Sequence, residues 1–266
     1  MRHDRDEILT EMGLGPIWRL RERPTAVDER VAEVPAAAES ATARAIHADS
    51  APPTRARSAS SAESVANAVA DSGREALISR MDWRALKEAV SGCRACGLHA
   101  GRNRTVFGVG DERAQWMLVG EAPGAEEDRL GEPFVGQAGK LLDGMLAAIG
   151  LKRGENVYIA NVLKCRPPGN RNPEPGEVAR CAPHLARQVE LVGPKLILGL
   201  GRFAARTLLD SDASIASLRG KVHRYAGVPL VITYHPAYLL RNLPDKAKTW
   251  EDLLLARRAL GESGAS

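Results

Sequence analysis

Residues 116–149 read WMLVGEAPGAEEDRLGEPFVGQAGKLLDGMLAAI, and this stretch decides the fold. Trp116–Gly120 is a short apolar run, and a Gly/Pro-containing loop follows it, the pattern of a buried strand. Gly139–Ile149 then takes up helical spacing. The alternation continues outward. Val157–Leu163, Leu196–Leu200 and Leu230–Tyr234 are further strand-like runs, and Glu177–Val192, Arg202–Leu209 and Ala247–Leu260 are further helical ones. Strands alternating with helices predict an α/β fold, a parallel sheet between helix layers. Upstream, Glu75–Val90 has the helical spacing Leu77, Ile78, Met81, Leu86 and Val90, closed by Ser91 and Gly92, so the folded domain is expected over 74–262.

In such sheets ligands bind beyond the carboxyl ends of the strands. The unusual residues of this chain lie there. After the first strand come Gly120, Glu121, Ala122, Pro123 and Gly124 and then the acidic run Glu126, Glu127, Asp128. Glycines let backbone approach a ligand closely, and a carboxylate so placed can position water or read a base edge. Phe134, in Pro133–Gly136, is a candidate stacking platform or a core residue. Asn161 ends the second strand among apolar neighbours, and its carboxamide both donates and accepts, which suits the N3–H and carbonyl edge of a pyrimidine. His235 also falls at a strand end. Behind it, Tyr238, Leu239, Leu240 and Arg241 combine an apolar wedge with a phosphate-binding cation. An enzyme acting on a base must extrude it, and a wedge fills the vacated stack.

The four cysteines are Cys93, Cys96, Cys165 and Cys181. A CxxC pair lets two thiolates converge on one centre, and the fold would have to bring the other two to it. Tetrathiolate zinc is the rival, but zinc ribbons tend to use two short knuckles, so the spacing favours an iron–sulfur centre.

Composition bounds the rest. The net charge is +4, but residues 1–80 carry 11 Lys/Arg against 13 Asp/Glu, so the remaining residues hold 26 against 20. A basic domain of this kind suits a phosphate backbone, as it does many other enzymes. No window approaches the ~18 consecutive apolar residues of a membrane helix. The acidic start, Asp4, Asp6, Glu7 and Glu11, is unlike a leader peptide, so a cytoplasmic protein is expected. Residues 34–70 hold 14 Ala and 6 Ser, and no aromatic occurs between Pro24 and Gly73. Residues 31–73 therefore read as a disordered linker. Ahead of it, residues 1–30 contain an apolar island at 8–24 (Ile8, Leu9, Met12, Leu14, Ile17, Trp18, Leu20), either a docking peptide or a helix that packs on the enzyme's own surface.

Taken together the motifs resemble the type-4 (family 4) uracil-DNA glycosylases. They run in order: CxxC, GEAPGxxED, PFVGxAGxLL, ANVLKCRPPxNRxP, a fourth Cys and HPAYLLRN, spanning Ser91 to Asn242. The resemblance implies a three-layer α/β/α sandwich with a central, mainly parallel four-stranded sheet. It also implies a structural [4Fe-4S] cluster on the four cysteines, and a substrate of uracil in single- or double-stranded DNA. By the same resemblance Gly120, Glu121 and Ala122 line the uracil pocket, Phe134 stacks on the base, Asn161 reads its polar edge and His235 lies near O2. In the wider superfamily the corresponding loop is GQDPY, with an Asp and a Tyr where this chain has Ala122 and Gly124. The water-activating Asp is thus replaced, leaving Glu127, with Glu121 next, as candidates to hold the water. Exclusion of thymine's methyl passes to the rest of the pocket, with Glu121 the candidate. A base-crosslinking variant of the superfamily has GEQPG and a KRRIH-like loop, and this chain has neither. Residues Leu14–Pro24 are similar to the start of the psi subunit of the bacterial clamp loader. That implies a tether to a chi-like partner at the replication fork. The alternative function is a non-catalytic iron–sulfur or zinc nucleic-acid-binding module, and a monomer is natural for an enzyme that flips single bases.

Overall fold

The apolar runs become strands because they must bury both faces, and every residue of three of them does so. In the computed structural model, which describes residues 73–263, these are β2 (Trp116–Gly120), β3 (Val157–Asn161) and β4 (Leu196–Leu200), all buried throughout. The fourth is β6 (Val228–Thr233). Two short strands lie at the edges, β1 (Val109–Gly110) and β5 (Val222–Tyr225). The sheet order is β1-β3-β2-β4-β6-β5, with four parallel central strands and antiparallel edges. The four-stranded parallel core is as expected. The edges are short and half-exposed, so neither carries the apolar run that marks a buried strand.

Side chains alternate across each strand and so feed two cores. Met117, Val119, Tyr158, Ala160 and Ile197 face one way, onto Leu185 and Val189 of α4 (Pro175–Val192) and Ala204, Ala205 and Leu208 of α5 (Arg202–Leu209). Trp116, Leu118, Val157, Ile159 and Leu198 face the other, onto Leu142, Met145 and Leu146 of α3 (Gln137–Ala148) and Leu253 and Ala256 of α8 (Asp245–Ser263). Three layers result.

The single helix read over Glu75–Val90 is in fact two pieces. Residues 73–78 are helical, the chain breaks, and Asp82 caps α1 (Trp83–Ser91) by accepting the Ala85 N–H at 2.8 Å. A side-chain acceptor that satisfies an orphan amide starts a new helix even where apolar spacing runs on. Three short helices complete the set: α2 (Ala125–Leu130), α6 (Ile215–Leu218) and α7 (Pro236–Leu239). The docking segment expected over 1–30 and the linker over 31–73 lie outside the described residues, residue 73 excepted.

Candidate active site

Register gathers the site. Gly120 pairs with Asn161 and Leu200 with Thr233, so the carboxyl ends of the four parallel strands share one edge. A cavity of about 770 Å³ opens there, lined among others by Glu121, Ala122, Phe134, Asn161, Arg202 and His235. Gly120, expected in the pocket wall, is not among the lining residues and packs against two that are, since a Cβ there would run into Asn161 Oδ1 and the Phe134 ring. Asn161 is only 2% exposed, and its Oδ1 has no hydrogen-bond partner among the described residues. A buried acceptor without a donor is costly, so this atom is suited to a ligand N–H.

Phe134 lies across from it, its ring stacked on that of His235 at 5.5 Å between centroids and 29° between planes. The imidazole Nδ1 accepts the Ala237 N–H at 3.1 Å. That bond leaves the proton of the neutral ring on Nε2. Burial pushes the His235 pKa down to about 4; the Glu127 carboxylate opposes this shift and Arg241 reinforces it. His235 is therefore a neutral N–H donor at physiological pH. Burial lifts Glu121 to about 7 against the pull of the Arg202 guanidinium, so near neutrality it is divided between acid and carboxylate. Glu127 is placed differently. Its Oε2 accepts the Gly124 N–H at 3.1 Å, and its Oε1 accepts those of Val135 at 3.0 Å and Gly136 at 3.2 Å.

A second, smaller cavity is lined by all four cysteines together with Arg102, Lys164, Arg180 and His184. Arg102 donates to Cys165 Sγ at 3.2 Å, and the Lys164 backbone N–H donates to Cys181 Sγ at 3.3 Å. Burial raises the Cys165 thiol, opposed by Arg102, and raises Cys181 to about 11, opposed by Lys164. Among the described residues no group of three or more His, Cys, Asp or Glu side chains is gathered closely enough around one point to hold a single metal ion. The donor set, four thiols around one cavity bordered by Arg102, Lys164 and Arg180, fits an anionic thiolate-ligated centre.

Comparison with known proteins gives the same direction. The model of the uracil DNA glycosylase superfamily matches residues 107–254. The chain is 50% identical over 159 residues to the type-4 uracil-DNA glycosylase of Archaeoglobus fulgidus, covering 57% of this chain and 79% of that one. It is 42% identical over 183 residues to the type-4 uracil-DNA glycosylase of Thermotoga maritima, covering 67% of this chain and 95% of the relative. The chain belongs to the uracil DNA glycosylase superfamily, in its type-4 branch. A type-5 uracil-DNA glycosylase of Pyrobaculum aerophilum is more distant, 34% identical over 172 residues and 75% of its length.

Of the residues expected to form a uracil-DNA glycosylase site, Glu121, Ala122, Glu127, Phe134, Asn161 and His235 all line the one cavity, and Gly120 packs against Asn161 and Phe134 without lining it. Tyr238 and Arg241 stand at its wall. The wedge needs correction. Leu239 is 1% exposed and belongs to the core under α7, whereas Leu240 is 42% exposed. On a single helical turn adjacent residues point about 100° apart, so one leucine of the pair turns inward. Phe134, expected as a stacking platform or a core residue, is 6% exposed and belongs to the core, and it also lines the cavity.

Sequence reading missed Arg202, Tyr234 and Lys164. Arg202 opens the helix after β4, a strand-end position that could have been flagged. Tyr234 stacks on Tyr238 at 5.1 Å and so fixes the wall beside His235. Lys164 is fully buried and donates to the Asn161 carbonyl at 2.7 Å and Gln188 Oε1 at 2.6 Å. Nothing in a lysine's sequence neighbourhood announces an ammonium enclosed in this way. No helix among the described residues is long and apolar enough to cross a membrane.

Proposed function

We propose that the chain, a hydrolase of N-glycosyl bonds by its family, takes uracil out of single- or double-stranded DNA and cleaves its bond to the sugar. Free uracil and an abasic site are the products. The observation that carries this is the buried Oδ1 of Asn161, without a hydrogen-bond partner among the described residues, on a residue that lines the same cavity as Phe134 and His235. A flat ring with an N–H beside a carbonyl fits these three groups at once. Its N–H meets the orphan acceptor, its face lies on Phe134, and its O2 meets the Nε2–H of His235.

As the bond breaks, the electron pair moves onto the base and the sugar becomes oxocarbenium-like. A neutral donor at O2 stabilises the charge that develops there without having to lose a proton. The water that attacks the sugar is assigned to Glu121 rather than Glu127, because three backbone amides already occupy both oxygens of Glu127. The same Glu121 borders the space where thymine's methyl would sit. Arg241, Tyr238 and Leu240 form the DNA-facing rim, Leu240 filling the vacated stack. Cys93, Cys96, Cys165 and Cys181 would hold a [4Fe-4S] cluster that ties the CxxC segment to β3's exit loop and α4, a structural rather than a redox role. In this reading the enzyme acts as a monomer on cytoplasmic, nucleoid-associated DNA. Residues 8–24, outside the described region, dock on a chi-like clamp-loader partner.

Release of base from labelled single- and double-stranded oligonucleotides carrying uracil, thymine mispairs, hypoxanthine or xanthine tests the proposal. Uracil is expected to be released preferentially by a brown protein carrying iron and sulfide. A protein that binds these oligonucleotides and frees no base would overturn it. Zinc in place of iron would overturn the cluster alone.

A further inference from the structure

The stacking surface is strained. Phe134 has φ 55°, in the left-handed region that side chains other than glycine rarely occupy. Such outliers persist only where surrounding structure over-determines them. Here the loop is gripped by both kinds of backbone group. Glu127 takes the amides of Val135 and Gly136. From the other side Arg153, 19 residues along the chain, donates Nη1–H to the Pro133 carbonyl at 3.0 Å and Nη2–H to the Phe134 carbonyl at 2.8 Å. Its Nε–H donates to Asp143 Oδ1 on α3 at 3.0 Å, which orients the guanidinium plane. Gly139, on the first turn of α3, lets the helix reach the Phe134 carbonyl, where a Cβ would overlap that oxygen.

We infer that Arg153 is a positioning residue for base recognition: its guanidinium fork holds two successive carbonyls and thereby keeps Phe134 turned over the cavity against His235. The geometry is specific to arginine. A planar fork spans two adjacent acceptors, while an ammonium is a point charge that satisfies one at a time. Without the fork the Phe134 peptide relaxes towards negative φ, and the ring leaves its places against His235 and Gly120. Arg153 does not line the cavity, so it acts only through this loop. The inference rests on reading Phe134 as the surface on which the base stacks, and the test separates the two.

Arg153→Ala, Arg153→Lys and wild-type holoprotein are compared by three measurements: the NMR shifts of the His235 ring protons, inhibition by free uracil, and affinity for product DNA carrying an abasic site. In Arg153→Ala the His235 ring protons should lose the ring-current shift from Phe134. Inhibition by uracil should weaken about tenfold or more, the scale for lost hydrogen bonds from a charged donor, with abasic-DNA affinity held within about twofold. Added guanidinium ion should restore part of the inhibition, and Arg153→Lys should fall between the other two. Unmoved His235 shifts in Arg153→Ala, or an Arg153→Lys protein equal to wild type, would overturn the inference. A uniform loss of uracil binding, DNA binding and melting temperature, unrescued by guanidinium, would overturn it too by showing a merely structural role. Moved His235 shifts in a protein whose wild type does not bind uracil would leave the clamp standing and remove the uracil reading instead.

Discussion

Glu121→Gln is expected to make the protein more stable and less active at once. Burial lifts this carboxyl from 4.5 to about 7. At ~1.36 kcal/mol per pKa unit the gap corresponds to ~3 kcal/mol, and the solvent-facing edge of the half-buried group reduces that to ~2 kcal/mol. Between these two pH values the folded protein keeps a proton that the unfolded chain has released. The carboxyl's contribution is therefore fully present below 4.5 and is lost as pH rises through about 7. Glutamine carries no such proton and escapes the loss. Wild type and variant should melt together near pH 4.5, the ordinary value for a glutamate side chain. At about pH 8 the variant should be ~2 kcal/mol more stable, roughly 4–8 °C in Tm for a domain of this size. Uracil release should behave oppositely. If ionised Glu121 holds the attacking water, the wild-type rate rises with pH through about 7, and the variant loses both that limb and about a hundredfold or more of rate. His235 supplies no competing limb there, since it stays neutral down to about 4. Thermal melts at the two pH values and single-turnover rates across the range decide the matter. A variant no more stable than wild type at high pH would refute the buried-carboxylate argument, and an unchanged rate would take Glu121 out of the water-holding role.

Further outcomes follow from the same geometry. His235→Ala removes the donor aimed at O2 and should cost ~3 kcal/mol of transition-state stabilisation, two to three powers of ten in single-turnover rate, with DNA binding kept. Gly120→Ala drives a methyl into Asn161 Oδ1 and the Phe134 ring, so free-uracil inhibition should vanish and overpacking against these two buried side chains should destabilise by about 1–3 kcal/mol in denaturant melts. Leu239→Ala empties a core position and should destabilise by about 2–5 kcal/mol in denaturant melts. Leu240→Ala leaves stability unchanged and slows release from double-stranded DNA more than from single strands, where no stack has to be filled. Equal behaviour of the two leucine variants would contradict their opposite burial.

The sequence by itself determined the parts whose signal is periodic or local. Runs such as Trp116–Gly120 and Leu196–Leu200 are apolar at every position because both faces of the strand are covered, and the order of runs and helices then leaves a parallel sheet as the consistent arrangement. Clefts open beyond the strand ends in any such sheet, so the gathering of Glu121, Asn161 and His235 at one cavity was legible in the sequence. Tertiary structure decided what depends on direction and on partners distant in the chain. Whether Leu239 or Leu240 faces the core depends on how one turn of helix sits. Whether Glu127 holds water or backbone depends on the loop of Val135 and Gly136 folding back onto it. The left-handed backbone at Phe134, and the arginine 19 residues away that holds it, exist only in the packed state. A positive φ at a phenylalanine runs against local preference, and only contacts formed by the whole fold can enforce it.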